Sequence, residues 1–299
     1  MEVMKNGYND NNERNTEKRD RMNERVPLRT NIMTADNGLD IIGDIHACAD
    51  EFYQLLAKLG YVRSNEGLYR HPNGRRILSL GDITSRGPAS LDMLEFFIRH
   101  IEAGLAEMVD SNHGWKIARW LDGRKVTLAH GDENVEKEFR EYEAEHGIKK
   151  AEELKERSRL LLFSAPSHML VRVGGRTELV AVHAGIRDDY IGKESPAVRN
   201  YCRYGDVSGM GADGRPIRKD WAGERTKTHP LIIWGHDPRP EPERKNGAIN
   251  IDQGCVFGGK LTAYRFPEDE LVSVPAARNY SGLDDTPLTR YQRTNQASS

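Results

Sequence analysis

Carboxylates and imidazoles recur in five short segments spread through this chain of 299 residues. Two of them read Ile42-Gly43-Asp44-Ile45-His46 and Leu80-Gly81-Asp82-Ile83-Thr84-Ser85-Arg86-Gly87-Pro88. Each runs an apolar stretch into Gly-Asp, the pattern of a buried strand that ends and hands a carboxylate to its C-terminal edge. Asp44 and His46, beside a second such carboxylate in Asp82, make a mixed oxygen and imidazole donor set of the kind that holds Mn, Fe, Ni or Zn. The remaining segments are Ser111-Asn112-His113, Val182-His183-Ala184-Gly185 and Trp234-Gly235-His236-Asp237. A single Gly-Asp or a lone histidine is commonplace. The order of the five, their strand-like lead-ins and the Arg-Gly-Pro after Asp82 carry the signal.

Such donors need a stiff frame that still leaves them open to solvent, which loops at strand ends of α/β proteins provide. Leu39 to Gly43 reads as a buried strand, followed by a helix with Phe52, Leu55, Leu56 and Leu59 on one face. Arg76 to Gly81 is the next strand, and Pro88 suits the start of a helix carrying Leu91, Leu94, Ile98 and Ile101. Leu105 to Asp110 is the third strand. Residues 133–160, dense in Glu, Lys and Arg, predict a helical hairpin broken near Gly147. Its outer side is expected to be a solvated face, although its place in the chain would also suit a cap over the site. From residue 168 short strands take over: Met169–Val173, Glu178–His183, Pro230–Gly235, Ala248–Ile251, Lys260–Arg265 and Glu270–Val274. The class is α/β, with mixed sheets and helices outside. Residues 1–36 are too poor in large apolar side chains to offset their ordering entropy and read as a disordered tail. Residues 277–299 read as a second, loose tail, which leaves one domain over 37–276.

Basic residues number 44 against 46 acidic ones, for a formal net charge of -2. No global basic excess advertises nucleic acid or an anionic membrane, although a local patch could coexist with this total. Three well-separated cysteines show neither knuckle spacing nor a disulfide framework, which favours a reducing, cytoplasmic setting. The N-terminus has no apolar core of signal-peptide length, and no window approaches the roughly 18 apolar residues of a membrane helix.

In this order the five segments resemble the calcineurin-like metallophosphoesterases. The resemblance implies a four-layer αββα sandwich of two mixed β-sheets. It also implies two divalent ions (Mn, Ni or Fe/Zn) that clamp attacking and departing oxygens of an in-line phosphoryl displacement. Carried over residue by residue, Asp44 and His46 serve the first ion, Asp82 bridges, and Asn112, His183 and His236 serve the second. His113 would protonate the leaving oxygen, and Arg86 would neutralise charge on the phosphoryl oxygens. The ending Gly235-His236-Asp237-Pro238 lacks the second histidine of Gly-His-x-His, as in the phosphoprotein-phosphatase branch. Longer stretches narrow the likeness: Asn112 to Lys116 with Ala118 to Leu121, Tyr204 to Gly209, and Asn250 to Gly259. They are similar to the bacterial group that contains PrpE-type bis(5′-nucleosyl)-tetraphosphatases and the phosphatase module of polynucleotide kinase-phosphatase, over roughly residues 38–275. No Gly-x-x-x-x-Gly-Lys-Ser/Thr phosphate loop occurs in the sequence. The implied substrate is a phosphorylated small molecule or nucleotide, with dinucleoside polyphosphates favoured. A protein phosphatase, a polynucleotide end-phosphatase and a non-catalytic phosphate-binding module stay open.

Two positions depart from that group. Ser85 stands where it usually has an Asp that accepts a hydrogen bond from the leaving-group histidine. His113 is therefore expected to lack an anionic partner, and Ser85→Asp to restore one. Ser111 stands where the group usually has Gly, which adds strain if the position needs positive φ. His130, in Ala129-His130-Gly131-Asp132, mimics a ligand loop and defaults to a structural or surface role. Tyr201, Tyr204 and Trp221 could stack a nucleobase or serve as ordinary core and rim.

Overall fold

Strand β2 (Leu39–Ile42) shows how the body is built, because successive side chains leave a strand on opposite faces. Leu39 and Ile41 join Leu78, Met169, Leu179, Ala181, Ile233 and Ile249 in one buried cluster, while Ile42 joins Phe52, Leu55, Leu56 and Phe97 in another. The computed structural model describes residues 26–211 and 214–296 of the chain. Within them, β2 lies in a five-stranded sheet of order β15-β14-β2-β5-β6. Its members are β5 (Arg76–Ser79), β6 (Ala106–Met108), β14 (Lys260–Phe266) and β15 (Glu270–Pro275). β2, β5 and β6 are parallel, and β14 and β15 add antiparallel.

The facing sheet has six strands in the order β1-β7-β8-β11-β13-β12. They are β1 (Ile32–Thr34), β7 (His168–Val173), β8 (Arg176–Val182), β11 (Leu231–Trp234), β12 (Glu243–Lys245) and β13 (Ala248–Asn250). β8, β11 and β13 are parallel, so this sheet is mixed as well. The alternation repeats here: Leu179 and Ala181 point into the space between the sheets, whereas Val180 and Val182 pack outward with Val198 and Cys202 of helix α6 (Pro196–Tyr204). Against the other outer face pack α1 (Ala49–Leu59), α2 (Ser90–Glu102), α3 (Asn112–Leu121), α4 (Glu133–His146) and α5 (Ile148–Ser164). Helices thus flank two facing mixed sheets, the four layers that the sequence predicts. Two short pairs complete the strands: β3 (Val62–Arg63) with β4 (Tyr69–Arg70), and β9 (Val207–Met210) with β10 (Pro216–Arg218).

Three expectations need correction. Helix α2 begins at Ser90, two residues beyond Pro88. Its N-terminal donors are met from another helix, because the Glu138 carboxylate accepts from the amides of Ser90 (3.0 Å) and Leu91 (2.9 Å). Residues 26–36 do not continue a tail. β1 pairs parallel with β7, Met33 and Ala35 are buried, and Arg29 reaches Glu107 (3.0 Å) and Ser164 (2.6 Å). Two apolar residues at alternate positions, Met33 and Ala35, suffice for an edge strand. The rest of the predicted tail, residues 1–25, lies outside the described residues. At the other end, the Tyr280 hydroxyl and the Ala277 amide both donate to Glu51 Oε1 at 2.8 Å, and helix α7 (Pro287–Gln296) follows. This segment is tied to the body by polar contacts, which an apolar pattern does not register.

Candidate active site

Each of the five segments begins where a parallel strand stops. Asp44 and His46 follow β2, Asp82 follows β5, and Asn112 and His113 follow β6 in the first sheet. In the second sheet His183 follows β8 and His236 follows β11. Parallel neighbours present their C-terminal ends on one edge, so the fold collects all of these groups there. Asp82 sits at the middle. Its Oδ2 lies 3.5 Å from Nε2 of both His46 and His183, and its Oδ1 accepts from the His113 amide at 3.1 Å. The ring of His236 stands edge-on to that of His183, with centroids 4.7 Å apart.

The histidines are fixed from behind. His46 Nδ1 faces the carbonyl of Thr84 at 3.1 Å, and His183 Nδ1 faces that of Leu80 at 2.9 Å. A carbonyl there requires Nδ1–H, so each Nε2 turns a lone pair inward. Burial keeps His46 neutral by pulling its pKa down to about 3, and lowers those of His183 and His236 as well. The lone pair of His183 then points to Asp82 Oδ2 and to Asn112 Oδ1, which is 2.8 Å away. Acceptors that converge with their protons spent elsewhere form a donor set for a cation.

The carboxylates lead to the same conclusion. Asp44 is buried, and burial, then Asp252 and Asp82, push its pKa well above the usual range. Asp252, equally buried, is pushed up to about 7 by burial, with the charges of Asp237 and Asp82 adding to it. Neither has an ion-pair partner among the described residues; Asp44 accepts only the His236 amide at 3.2 Å, and Asp252 the Gly254 amide at 2.9 Å. Buried, unneutralised carboxylates beside neutral imidazoles fit divalent ions. Asp252 was not singled out from sequence, although Ala248-Ile249-Asn250-Ile251-Asp252 repeats the handover from apolar strand to Asp.

The backbone is strained at this edge. Of nine non-glycine residues with positive φ among those described, seven lie in these loops or in the loop behind them: His46, Ala47, Asp82, Ser85, Arg86, His130 and His236. Gly235 is needed for a different reason, since a Cβ there would collide with the Asp44 carboxylate.

Around His113 the structure departs from expectation. The ring does have an anionic partner: Asp132 Oδ1 lies 2.6 Å from its Nδ1, and Lys116 Nζ lies 2.6 Å from Asp132 Oδ2. Asp132 follows His130-Gly131, the segment set aside as a decoy; His130 itself is exposed and forms no part of the donor cluster. Ser85 therefore does not leave His113 unpartnered. Ser111 is not strained either, with φ -143° in extended backbone. Its hydroxyl caps α3 by accepting from Gly114 N at 3.2 Å and also accepts from Asp82 N at 2.9 Å, which ties helix and carboxylate together. Arg86 Nη2 approaches His113 Nε2 at 3.3 Å, its guanidinium carbon lies 5.3 Å from the Phe257 ring centre, and its buried Nε has no partner.

Outward from His113 runs a cleft of about 490 Å³ lined by Arg86, Lys116, Arg119, Lys125, His130 and Tyr204. Asn112, Trp115, Lys116 and Arg119 line it at helical spacing along one face of α3. Of the three aromatic residues named above, only Tyr204 lines this cleft. Trp221 packs on Trp234 with centroids 5.1 Å apart, and Tyr201 on Tyr190 at 5.8 Å. The charged hairpin of α4 and α5 braces the loops from behind: Asp132 precedes α4, and Asn134 donates to the Arg86 carbonyl at 2.9 Å.

The chain belongs to the calcineurin-like phosphoesterases, whose family model matches residues 39–270. That family is hydrolytic and uses a dinuclear divalent metal centre. Among curated relatives, the chain is 42% identical over 242 residues to bis(5′-nucleosyl)-tetraphosphatase PrpE [asymmetrical] of Bacillus subtilis, spanning 81% of this chain and 96% of that protein. It is 45% identical over 240 residues to the protein of that name from Bacillus cereus, spanning 80% and 94%. Among solved structures, a cold-active protein-tyrosine phosphatase of a Shewanella species matches with a TM-score of 0.51 at 17% identity, covering 86% of this chain and 82% of that one. A yeast serine/threonine phosphatase matches with a TM-score of 0.50 at 12% identity, covering 91% and 89%. These structures share the fold.

Proposed function

We propose that this chain is a hydrolase of dinucleoside polyphosphates that cleaves them asymmetrically. The observation that carries the reading is the pairing of a buried donor cluster with a cationic cleft that starts at His113. Asp44, His46, Asp82, Asn112, His183 and His236 would hold two divalent ions, with Asp252 beside Asp44. Their nitrogen and carboxylate donors suit Mn, Ni or an Fe/Zn pair. When bound, such a pair supplies positive charge to the phosphoryl group and activates a water for in-line attack. Arg86 would add a guanidinium to the phosphoryl oxygens as their charge grows. His113, as imidazolium, would donate from Nε2 to the departing oxygen while Asp132 holds Nδ1–H. The leaving nucleotide would then extend along the cleft, where Arg119 and Lys125 have no carboxylate partner among the described residues. Names of the curated relatives support the substrate and the asymmetry. Three buried free cysteines support a reducing, cytoplasmic setting, and no helix of the described residues is long and apolar enough to cross a membrane.

The test is hydrolysis of diadenosine tetraphosphate across Mn, Ni, Co, Zn and Mg, with products resolved by chromatography. ATP with AMP is the expected pair. Two ADP would overturn the asymmetry. No turnover of the dinucleotide, alongside turnover of a phosphopeptide or a 3′-phosphorylated oligonucleotide, would overturn the substrate class.

A further inference from the structure

Asp132 is fully buried, yet both of its oxygens are engaged, one by His113 and the other by Lys116. The loop that carries it is clamped to the loop after Asp82. Arg86 N donates to the Gly131 carbonyl at 2.9 Å, and a Cβ on Gly131 would come within 2.5 Å of Arg86 Cα. Ser85, also fully buried, stands near enough to the same carboxylate for its hydroxyl to add, after His113 and Lys116, to what holds the Asp132 pKa down at about 2. Positions 85 and 132 thus meet beside one edge of the His113 ring from two different loops. In this chain the single carboxylate sits on the second.

The two polar contacts of the ring select one tautomer. Asp132 Oδ1 requires Nδ1–H, which leaves Nε2 to accept from Arg86 Nη2. A ring nitrogen of His113 also lies within 4.8 Å of the donor atoms of His46 and Asp82. Asp132 therefore orients the ring and holds the proton that Arg86 favours from the other side, while Lys116 keeps that buried carboxylate compensated.

We propose that Asp132 is the positioning residue for His113, acting from the start of α4 as a carboxylate at position 85 would from the loop after Asp82, and that the two positions are interchangeable. The proposal rests on His113 being the group that protonates the leaving oxygen. It predicts that effects at the two positions reverse sign with background. Asp132→Ala removes the partner. Ser85→Asp alone crowds two carboxylates around one lysine and brings no gain. Ser85→Asp with Asp132→Ala restores one carboxylate on the same edge of the ring.

The experiment compares phenyl phosphate, whose leaving oxygen needs a proton, with p-nitrophenyl phosphate, whose leaving oxygen does not, in holoenzyme with matched metal content. Asp132→Ala should lose about 30–100-fold in kcat on phenyl phosphate, at or below the low end of a general acid's contribution because His113 itself remains, and less than about 3-fold on p-nitrophenyl phosphate. The double variant should return to within about 3-fold of the parent on both substrates, because the acid is replaced. A second readout needs no turnover: in ring 15N spectra of the metal-free protein the protonated Nδ1 resonance of His113 should shift in Asp132→Ala, where its charged acceptor is lost, and return toward the parent position in the double variant. Where Asp132→Ala does not fold, Asp132→Asn keeps the shape and should show the same substrate-selective loss. The proposal is overturned if the double variant is no faster than Asp132→Ala on phenyl phosphate, or if both substrates slow equally. An unchanged His113 Nδ1 resonance in Asp132→Ala also overturns it. Failure of every variant, parent included, on diadenosine tetraphosphate would instead count against the proposed substrate, since neither readout uses it.

Discussion

Asp40 and Asp44 lie four residues apart on and just beyond the same strand, both buried, in opposite electrostatic settings. Asp40 receives Arg75 through two bonds of 3.1 Å, Arg265 at 2.9 Å and the Tyr61 hydroxyl at 2.9 Å. Every lone pair it offers is answered by this chain. Asp44 receives one amide and sits among Asp252 and Asp82 with no ion-pair partner among the described residues. A buried carboxylate with its cations supplied closes a fold. One left without them waits for a cation from outside, and an evolved sequence tolerates that cost where function requires it.

The largest expected break in this contrast is Asp82→Asn. One neutral amide cannot hold two cations as a carboxylate does, so turnover of p-nitrophenyl phosphate should fall on the order of 10³-fold or more, the scale of losing a principal electrostatic stabiliser. The metal-free protein should remain folded, because Asp82 stands at the C-terminal edge of the sheet and belongs to neither apolar cluster. Parental turnover with metal content verified by elemental analysis would rule out a bridging Asp82. Asp40→Asn should do the reverse. Stranding Arg75 and Arg265 should cost about 3 kcal/mol in urea unfolding, the low end for a broken buried pair, since Arg75 keeps Glu268 at 2.7 Å. Activity per folded molecule should persist.

Divalent ions should sharpen the contrast from the other side. Manganese at about 100 times its Kd should stabilise the parent by about 2.7 kcal/mol, while Asp82→Asn gains little, as calorimetry with and without a chelator would show. A smaller effect should come from acid. His100 is buried, its Nδ1 faces the Phe96 carbonyl at 2.7 Å and its Nε2 accepts from Tyr69 N at 2.8 Å. Burial pulls its pKa down to about 4. The unfolded chain therefore takes up the proton first. Stability from this site is full well above about pH 6.5 and drains as pH falls toward 4, with about 2 kcal/mol gone by about pH 5. His100→Gln should flatten that part of the stability–pH profile; an unaltered slope would exclude His100 as its source. Smallest of all, Arg119→Ala should raise KM for diadenosine tetraphosphate relative to p-nitrophenyl phosphate by about 5-fold, the order of one charge-assisted contact. Equal shifts for both substrates would remove the cleft from the substrate path.

Sequence and structure agree best where a local rule has one outcome. Gly-Asp after an apolar run placed Asp44 and Asp82, and strand–helix units giving way to short strands placed the mixed sheets. Asp132 was illegible for a physical reason: its partner lies 19 residues away across a loop, and its spacing from His113 follows no helical or strand period. Ser85 made matters worse, since a missing acid at one position says nothing about where another stands. Edge strand β1 escaped because an edge needs few apolar contacts. The positive-φ backbone at His46 or Arg86 follows no residue preference and could be read only from coordinates.

With the proposed partner of His113 at the start of α4, leaving-group chemistry would depend on the length of a surface hairpin. At position 85 a carboxylate would ride on the loop that also holds Asp82, and any change in that loop would disturb the proposed metal donors too. At position 132 it rides on an element whose outer face is solvated and can change at little cost to the core. A one-residue insertion in the loop before α4 would move that carboxylate without lengthening any segment that carries a proposed metal donor, and would reach those segments only through the contact of Arg86 with Gly131. Variation among descendants of this chain should therefore show first in which leaving groups they expel, and only later in whether they hydrolyse at all.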